Sequence, residues 1–386
     1  MTATHRNQFW FLPGVLANSL VFAMLAYVAF LHAFYPDLYY LNVQEDEFME
    51  WATFWSFFLA AAGCVWAAVR QWKNTATLPW FLAGLSLFCF IVAMEEISWA
   101  QRVLAYRPPT YFLAENFQQE LNFHNFVTRD LRKLALYTIL SAYGILLPVL
   151  ARIPISRRLL NGLGIIAPPL ELLPVFAVAL ALTLNYPWRF TNETVEFMMG
   201  AGFLFAAVAG VAQFSGHKTQ DRARYSSMSV LISAALVIGL ALGTVALARY
   251  GRAHDPDVLN LAAVEIDALR RDFVAMAERS DETFPSRKNL HKRIYSYESK
   301  YGGGYLFDGE FSALVSRGLP QERADYFLDP WNSPYWIRLK WDSKHRTQFT
   351  AFVYSFGPNR RRDSTRSGIL GDDVGTFVFR GRKVRR

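Results

Sequence analysis

Seven stretches of this chain stay apolar for about 20 residues, the length an α-helix needs to cross about 30 Å of hydrocarbon. They lie at about 9–35, 48–69, 78–103, 133–151, 166–187, 194–214 and 226–249. Pro36-Asp37, Trp72-Lys73-Asn74, Pro108-Pro109, Pro154, Tyr186-Pro187 and the charged run around Asp221 separate them. Residues 1–250 are therefore expected to form an α-helical polytopic membrane bundle of about seven spans. The last apolar run gives way at Asp255-Pro256 to a second helix, in which Leu259, Ala262, Ile266, Leu269, Phe273 and Met276 recur at steps of three and four. A membrane anchor thus feeds a second domain over residues 251–386. The composition, 53% hydrophobic with 16% aromatic residues, fits this division.

Basic residues in the short loops set an expected orientation. Arg70 and Lys73, then Arg152, Arg157 and Arg158, then Lys218, Arg222 and Arg224 mark three loops as cytoplasmic, while the connections around Glu45 and Trp188 are poor in them. The N-terminus then lies inside and the C-terminal domain outside. The loop from Ala105 to Lys133 runs against this pattern, because it is expected outside yet carries Arg107, Arg129, Arg132 and Lys133. The first apolar run has no small-residue cleavage site after it and reads as a retained span.

Several classes of function are disfavoured. Cys64 and Cys89 are the only cysteines and both fall inside apolar runs, so no disulfide framework is implied. The net charge of +8 comes with no nucleic-acid motif, and a basic domain beside a bilayer fits anionic lipid or an acidic partner instead. The spans and outer loops supply only His32 and His124, too few for a three-histidine zinc site. No Gly-x-Ser-x-Gly nucleophile turn is present, and Gly302-Gly303-Gly304 follows no strand that would make it a phosphate loop.

The polar signal in the membrane part lies at the end of the third run, Met94-Glu95-Glu96-Ile97-Ser98-Trp99-Ala100-Gln101-Arg102. On a continuous helix Glu95, Ser98, Trp99 and Arg102 would share one face, and carboxylates near the edge of the hydrocarbon are costly unless paired or turned to a polar cavity. After the loop, Glu120 and His124 stand four residues apart, a spacing that suits an acid/base pair or a shared ligand on a helix. One reading makes these groups ion pairs that fasten the outer loop to the bundle. The other makes Glu95, Glu96, His124, Glu120 and Arg102 the candidates of a catalytic site for a lipid-linked or outer-face substrate. The combination of Glu-Glu-x-Ser-Trp-x-Gln-Arg with Leu-Asn-x-His-Asn resembles a pattern in uncharacterised bacterial multi-span proteins, a resemblance that implies no activity.

Two first-turn acidic pairs also echo each other, Glu47 with Glu50 before the second run and Glu193 with Glu196 before the sixth. An internal duplication of four spans would produce this, and so would the ordinary preference of acids for helix N-termini.

The last third carries strand signals at 335–340, 349–356 and 376–379, with a short helix expected at 311–317. Two loop signatures stand between them: Leu328-Asp329-Pro330-Trp331-Asn332-Ser333-Pro334-Tyr335, and Tyr354-Ser355-Phe356-Gly357-Pro358-Asn359 followed by Gly371-Asp372-Asp373-Val374. In this order, after a long helix, they resemble the C-terminal domain of the major (G-type) pseudopilin of type II secretion. The resemblance implies a small α+β domain with its long N-terminal helix packed on an antiparallel sheet. It also implies a calcium site, with Asp372 and Asp373 at the family's acidic ligand pair and Asn359 near it. Arg360, Arg361, Arg362 and Arg366 stand where the family's loop is glycine-rich and acidic, and their charge opposes a dication. Six further spans precede the module, so a polymerising subunit is not expected. The expectation is a bacterial inner-membrane protein that presents a pseudopilin-like periplasmic domain to pilin-like or secretion-system partners. The alternative is a membrane-embedded enzyme working through the Glu/His cluster.

Overall fold

A computed structural model describes residues 10–43, 47–104, 109, 112, 121–215, 219–253, 256–279, 329–331, 335–341, 348–359, 363 and 368–382. The protein is mostly helical, with a small antiparallel sheet near the C-terminus. It divides into two compact units, residues 1–97 with 127–246 and residues 98–126 with 247–386.

The first unit contains α1 (Phe11–Phe34), α2 (Pro36–Asn42), α3 (Phe48–Thr75) and α4 (Trp80–Glu96). After α5 (Gln101–Leu104), which belongs to the other unit, follow α6 (Arg129–Thr138), a π-helical stretch (Ile139–Leu146) and α7 (Leu147–Leu150). Then come α8 (Pro154–Gly162), α9 (Leu173–Asn185), α10 (Thr191–Gln213) and α11 (Thr219–Ala253). Among the described residues, five helical segments are long and apolar enough to cross a membrane: Phe11–Phe34, Phe48–Thr75, Asp130–Leu150, Thr191–Gln213 and Asp221–Tyr250. The other two apolar windows are occupied by shorter helices. Residues 78–103 hold α4, 17 residues long, because the chain leaves the helix after Glu96. Residues 166–187 hold a 3-10 turn (Leu170–Leu172) and then α9, because Pro168 and Pro169 delay helix formation.

Helix α10 is the centre of the first unit, with 94% of its most apolar window buried. A helix apolar on all sides needs neighbours on all sides, and α3 and α9 pack against it. Its contacts with α3 run through small residues. A Cβ at Gly200 would touch Phe57 at 3.0 Å, one at Gly63 would touch Ala207 at 3.1 Å, and one at Gly210 would meet Ala67 at 3.7 Å. These pairs occur in the same order along both helices, so α3 and α10 run parallel at the close approach that small residues permit. The two acidic pairs lie at their N-terminal ends, with Glu50 and Glu193 in the first turns. Glu47 and Glu50 are buried, and Glu193 and Glu196 are half-buried.

The π-helical stretch fits the same core. Tyr143 stacks on Phe203 at 4.4 Å with ring planes 3° apart, and Gly144 leaves room for the Phe176 ring. Phe176 also fills the space beside Gly202. Side-chain polar bonds also join the helices: Ser86 Oγ donates to the Ala61 carbonyl (3.0 Å), and Trp55 Nε1 donates to Thr244 Oγ1 (3.0 Å).

In the second unit, α12 (Pro256–Arg279) opens on proline, whose missing N–H costs nothing at a helix start. The strands β1 (Trp336–Trp341), β2 (Gln348–Ser355) and β3 (Val374–Arg382) form an antiparallel meander in the order β1-β2-β3. Trp336 pairs with Tyr354 and Ser355 with Val374, with a register shift between Ala351 and Phe352. Helix α12 packs on β2 and β3. Its Ala262, Ile266, Leu269 and Phe273 are buried as the periodicity predicts, whereas Leu259 is 39% exposed. The short helix expected at 311–317 lies outside the described residues.

Candidate functional site

The polar motif at the end of α4 does not continue as one helix. Ser98, Trp99 and Ala100 take left-handed conformations with φ of 47°, 54° and 63°. Each costs a non-glycine residue roughly 1–2 kcal/mol, and such strain persists only where the surroundings fix it. The single face expected for Glu95, Ser98, Trp99 and Arg102 is therefore broken. Glu95 and Glu96 end α4 half-buried in the first unit, and Ser98 begins a 3-10 turn in the second.

That turn is held by the other motif. Asn122 Nδ2 donates to Ser98 Oγ (3.5 Å), and the Leu121 N–H donates to Gln101 Oε1 (2.6 Å). The ring of Trp99 meets Phe123 edge-on at 6.2 Å, and Phe123 meets Phe112 at 5.6 Å. Ser98, Gln101 and Asn122 are all buried. Gln101 Nε2 is buried without a hydrogen-bond partner among the described residues. The two motifs thus meet in one knot, to which Ser98, Gln101 and Asn122 contribute polar contacts. His124 is exposed and opens a 3-10 turn (His124–Phe126), not the helix that its spacing from Glu120 required. Glu120 and the side chain of Arg102 lie outside the described residues.

Another polar group gathers where α2 meets the start of α10. The Tyr39 hydroxyl donates to the Arg189 carbonyl at 2.5 Å, and His32 stands edge-on to Tyr39 at 5.1 Å. Burial, with the Glu193 carboxylate nearby, pushes the Tyr39 phenol well up. It remains a protonated donor that ties the two segments together.

In the second unit the loop signatures meet at Asp329. This carboxylate is 1% exposed, accepting from the Trp331 N–H through Oδ1 (3.0 Å) and from the Ser355 hydroxyl through Oδ2 (2.5 Å). Ser355 Oγ accepts in turn from the Gly357 N–H (2.9 Å). Tyr335, fully buried, donates its hydroxyl to Glu265 on α12 at 2.5 Å. Glu265 falls on the buried face of α12, which its charge conceals in the periodic pattern.

The acidic loop lies at the end of β2 and the start of β3. Carboxylate oxygens of Asp363, Asp372 and Asp373 all lie within 4.8 Å of one another. Oxygens bound to one calcium-sized cation sit at most about 5 Å apart, given metal–oxygen distances of about 2.3–2.6 Å. The Asn359 N–H donates to Asp372 Oδ2 (2.9 Å), Asn359 Nδ2 to Asp363 Oδ2 (2.8 Å), and the Asp363 N–H to Asp373 Oδ1 (3.3 Å). Asp372 Oδ1 is buried with no hydrogen-bond partner among the described residues. Burial raises the Asp372 carboxyl above the usual range; the Asp363 carboxylate adds to the rise and the Asn359 N–H opposes it. Gly357 (φ 66°) passes so close to the Asp372 carbonyl that a Cβ has no room there, and Gly371 (φ 66°) passes equally close to Asp363. The structure brings together Asp372, Asp373 and Asn359, which sequence singled out, and adds Asp363, hidden between Arg362 and Ser364. The arginines 360, 361, 362 and 366 lie outside the described residues.

No family model matches the chain, and no curated protein or solved structure matches it.

Proposed function

We propose that this is a multi-pass protein of a bacterial inner membrane that presents a pseudopilin-like periplasmic domain as a docking module for pilin-like or secretion-system subunits. The seven-span count treats α4 and α9 as short spans beside the five long ones. With the N-terminus cytoplasmic, this places the C-terminal domain outside. The observation that carries the reading is the Asp329–Ser355 bond, which closes the two loop signatures into one buried knot at the end of a meander packed on a long helix. Calcium would be held by Asp363, Asp372 and Asp373, with the Asp372 oxygen that has no hydrogen-bond partner among the described residues as the group it would satisfy. It would fix the exposed loop beside Leu370, 47% exposed, and so shape the docking face.

The test is co-purification of the full chain from its native membrane. A pilin-like or secretion subunit is expected to accompany it and to be lost when Gly371 is replaced by valine. If no such subunit is recovered with the intact chain, the docking reading fails.

A second reading, a membrane-edge enzyme, is favoured by one observation, the strained Ser98–Ala100 turn beside the Gln101 amide nitrogen, which has no hydrogen-bond partner among the described residues. It predicts that Gln101→Leu abolishes function at normal protein level, with Glu95→Gln and His124→Asn doing the same.

A further inference from the structure

An open groove of the first unit lies between α3 and α4, about 700 Å³ in volume, within the range of a small-molecule site. Its walls are apolar and outward-facing. Val65 is 52% exposed, Val69 46% and Leu87 59%, and Ala62 and Ala83 lie between them. Ser86 also lines it but spends its hydroxyl on the Ala61 carbonyl, so the groove wall asks for no polar partner. Lys73 is the one charged side chain among the described lining residues, and no carboxylate accompanies it. It stands exposed in the last turn of α3, beside Trp72, whose 53% exposure suits the aromatic belt of a membrane interface.

The groove has a closed end and a charged end. Phe58 and Phe90 meet across it at 6.5 Å, and from Phe58 to Lys73 it follows α3 for about 22 Å at 1.5 Å per residue. Half of a bilayer's hydrocarbon is about 15 Å thick. The groove therefore runs from headgroup level at Lys73 to just past the midplane and stops. A spanning helix from a partner would have to continue beyond the Phe58–Phe90 pair. An acyl chain ends there.

We propose that the α3–α4 groove is a binding site for an anionic phospholipid of the leaflet at the Lys73 end, one acyl chain lying along Val65, Val69, Ala83 and Leu87 and the phosphate paired with Lys73. The assignment does not depend on the docking role of the second unit.

The full chain is reconstituted in phosphatidylcholine vesicles with a trace of phosphatidylglycerol bearing a photoreactive acyl chain, or with phosphatidylcholine bearing the same chain. Labelled peptides are then mapped. The anionic probe is expected to label α3 and α4 about fivefold more than the zwitterionic one, the preference of one basic residue at an anionic surface. Lys73→Gln brings the two probes level while groove labelling continues. Ala83→Trp, at an exposed position, fills the groove and removes the label. Equal labelling by both probes overturns the headgroup assignment. Groove labelling no stronger than that of the outward face of α11 around Leu231 and Leu242 overturns the site as a whole. Crosslinks between α3 of two copies, with no lipid label, assign the groove to a second copy and overturn it equally.

Discussion

The carboxylates of the second unit are built in two opposite ways. Asp329 is almost wholly buried and surrounded by donors, the Trp331 N–H and the Ser355 hydroxyl. Asp372 is half-buried, faces Asp363 and Asp373, and keeps one oxygen with no hydrogen-bond partner among the described residues. A buried carboxylate matched to donors is a structural lock, since its desolvation is offset within the fold. Carboxylates matched to each other leave electrostatic work that a proton or a cation must do. The difference separates the part of the domain that holds shape from the part that would bind.

The largest effect should come from breaking the lock. Asp329→Ala leaves the Ser355 hydroxyl and the Trp331 N–H buried without their acceptor, at a cost of about 3 kcal/mol. Hydrogen exchange of β1 and β2 amides in the full chain should accelerate about 100-fold. An unchanged rate would remove Asp329 from the lock.

Calcium at about 100 times its dissociation constant should stabilise the second unit by about 2.7 kcal/mol. Slower exchange of β3 amides would report it, and Asp363→Asn or Asp372→Asn should abolish it. Protection that survives both substitutions would place the ion elsewhere.

A smaller effect follows from pH. The Asp372 proton is bound more tightly in the folded chain than in the unfolded one, because burial and Asp363 raise its carboxyl. Its contribution to stability is fully present below the ordinary carboxylate range and is lost as pH rises through the raised folded value. Without divalent cations the domain should thus loosen as pH rises through that window, and Asp372→Asn should flatten the profile. A cation should reverse the slope, because it competes with the proton. The smallest effect belongs to Glu265→Gln, which leaves Tyr335 an amide oxygen to donate to and should cost less than about 1 kcal/mol.

Periodicity carried the helices because apolar residues at steps of three and four have one stable use. Ala262, Ile266, Leu269 and Phe273 lie buried as that argument requires. It missed Glu265 because a charged residue on a core face is explained only by a partner distant in sequence, here Tyr335. The break at Ser98 was equally invisible. Nothing between Glu95 and Arg102 is a helix breaker, and the left-handed turn is imposed by Leu121, Asn122 and Phe123, more than 20 residues on. For the same reason the first membrane motif read as one helical face, whereas Ser98 and Gln101 meet Asn122 and Leu121 across a turn. Asp363 escaped notice because its arginine neighbours dominate the local charge, and its proximity to Asp372 depends on the close passage of Gly371. The parallel packing of α3 on α10 was legible only as repeated acidic pairs, since its physical basis lies in Gly63, Gly200 and Gly210.

The most direct test of the docking account places a photoreactive residue at the exposed Leu370, beside the acidic loop, and crosslinks it in living cells. The account predicts capture of a pilin-like or secretion-system subunit, and a sharp loss of that capture when Asp372 is replaced by asparagine. Capture of lipid alone, or of nothing, from a correctly folded chain would contradict it.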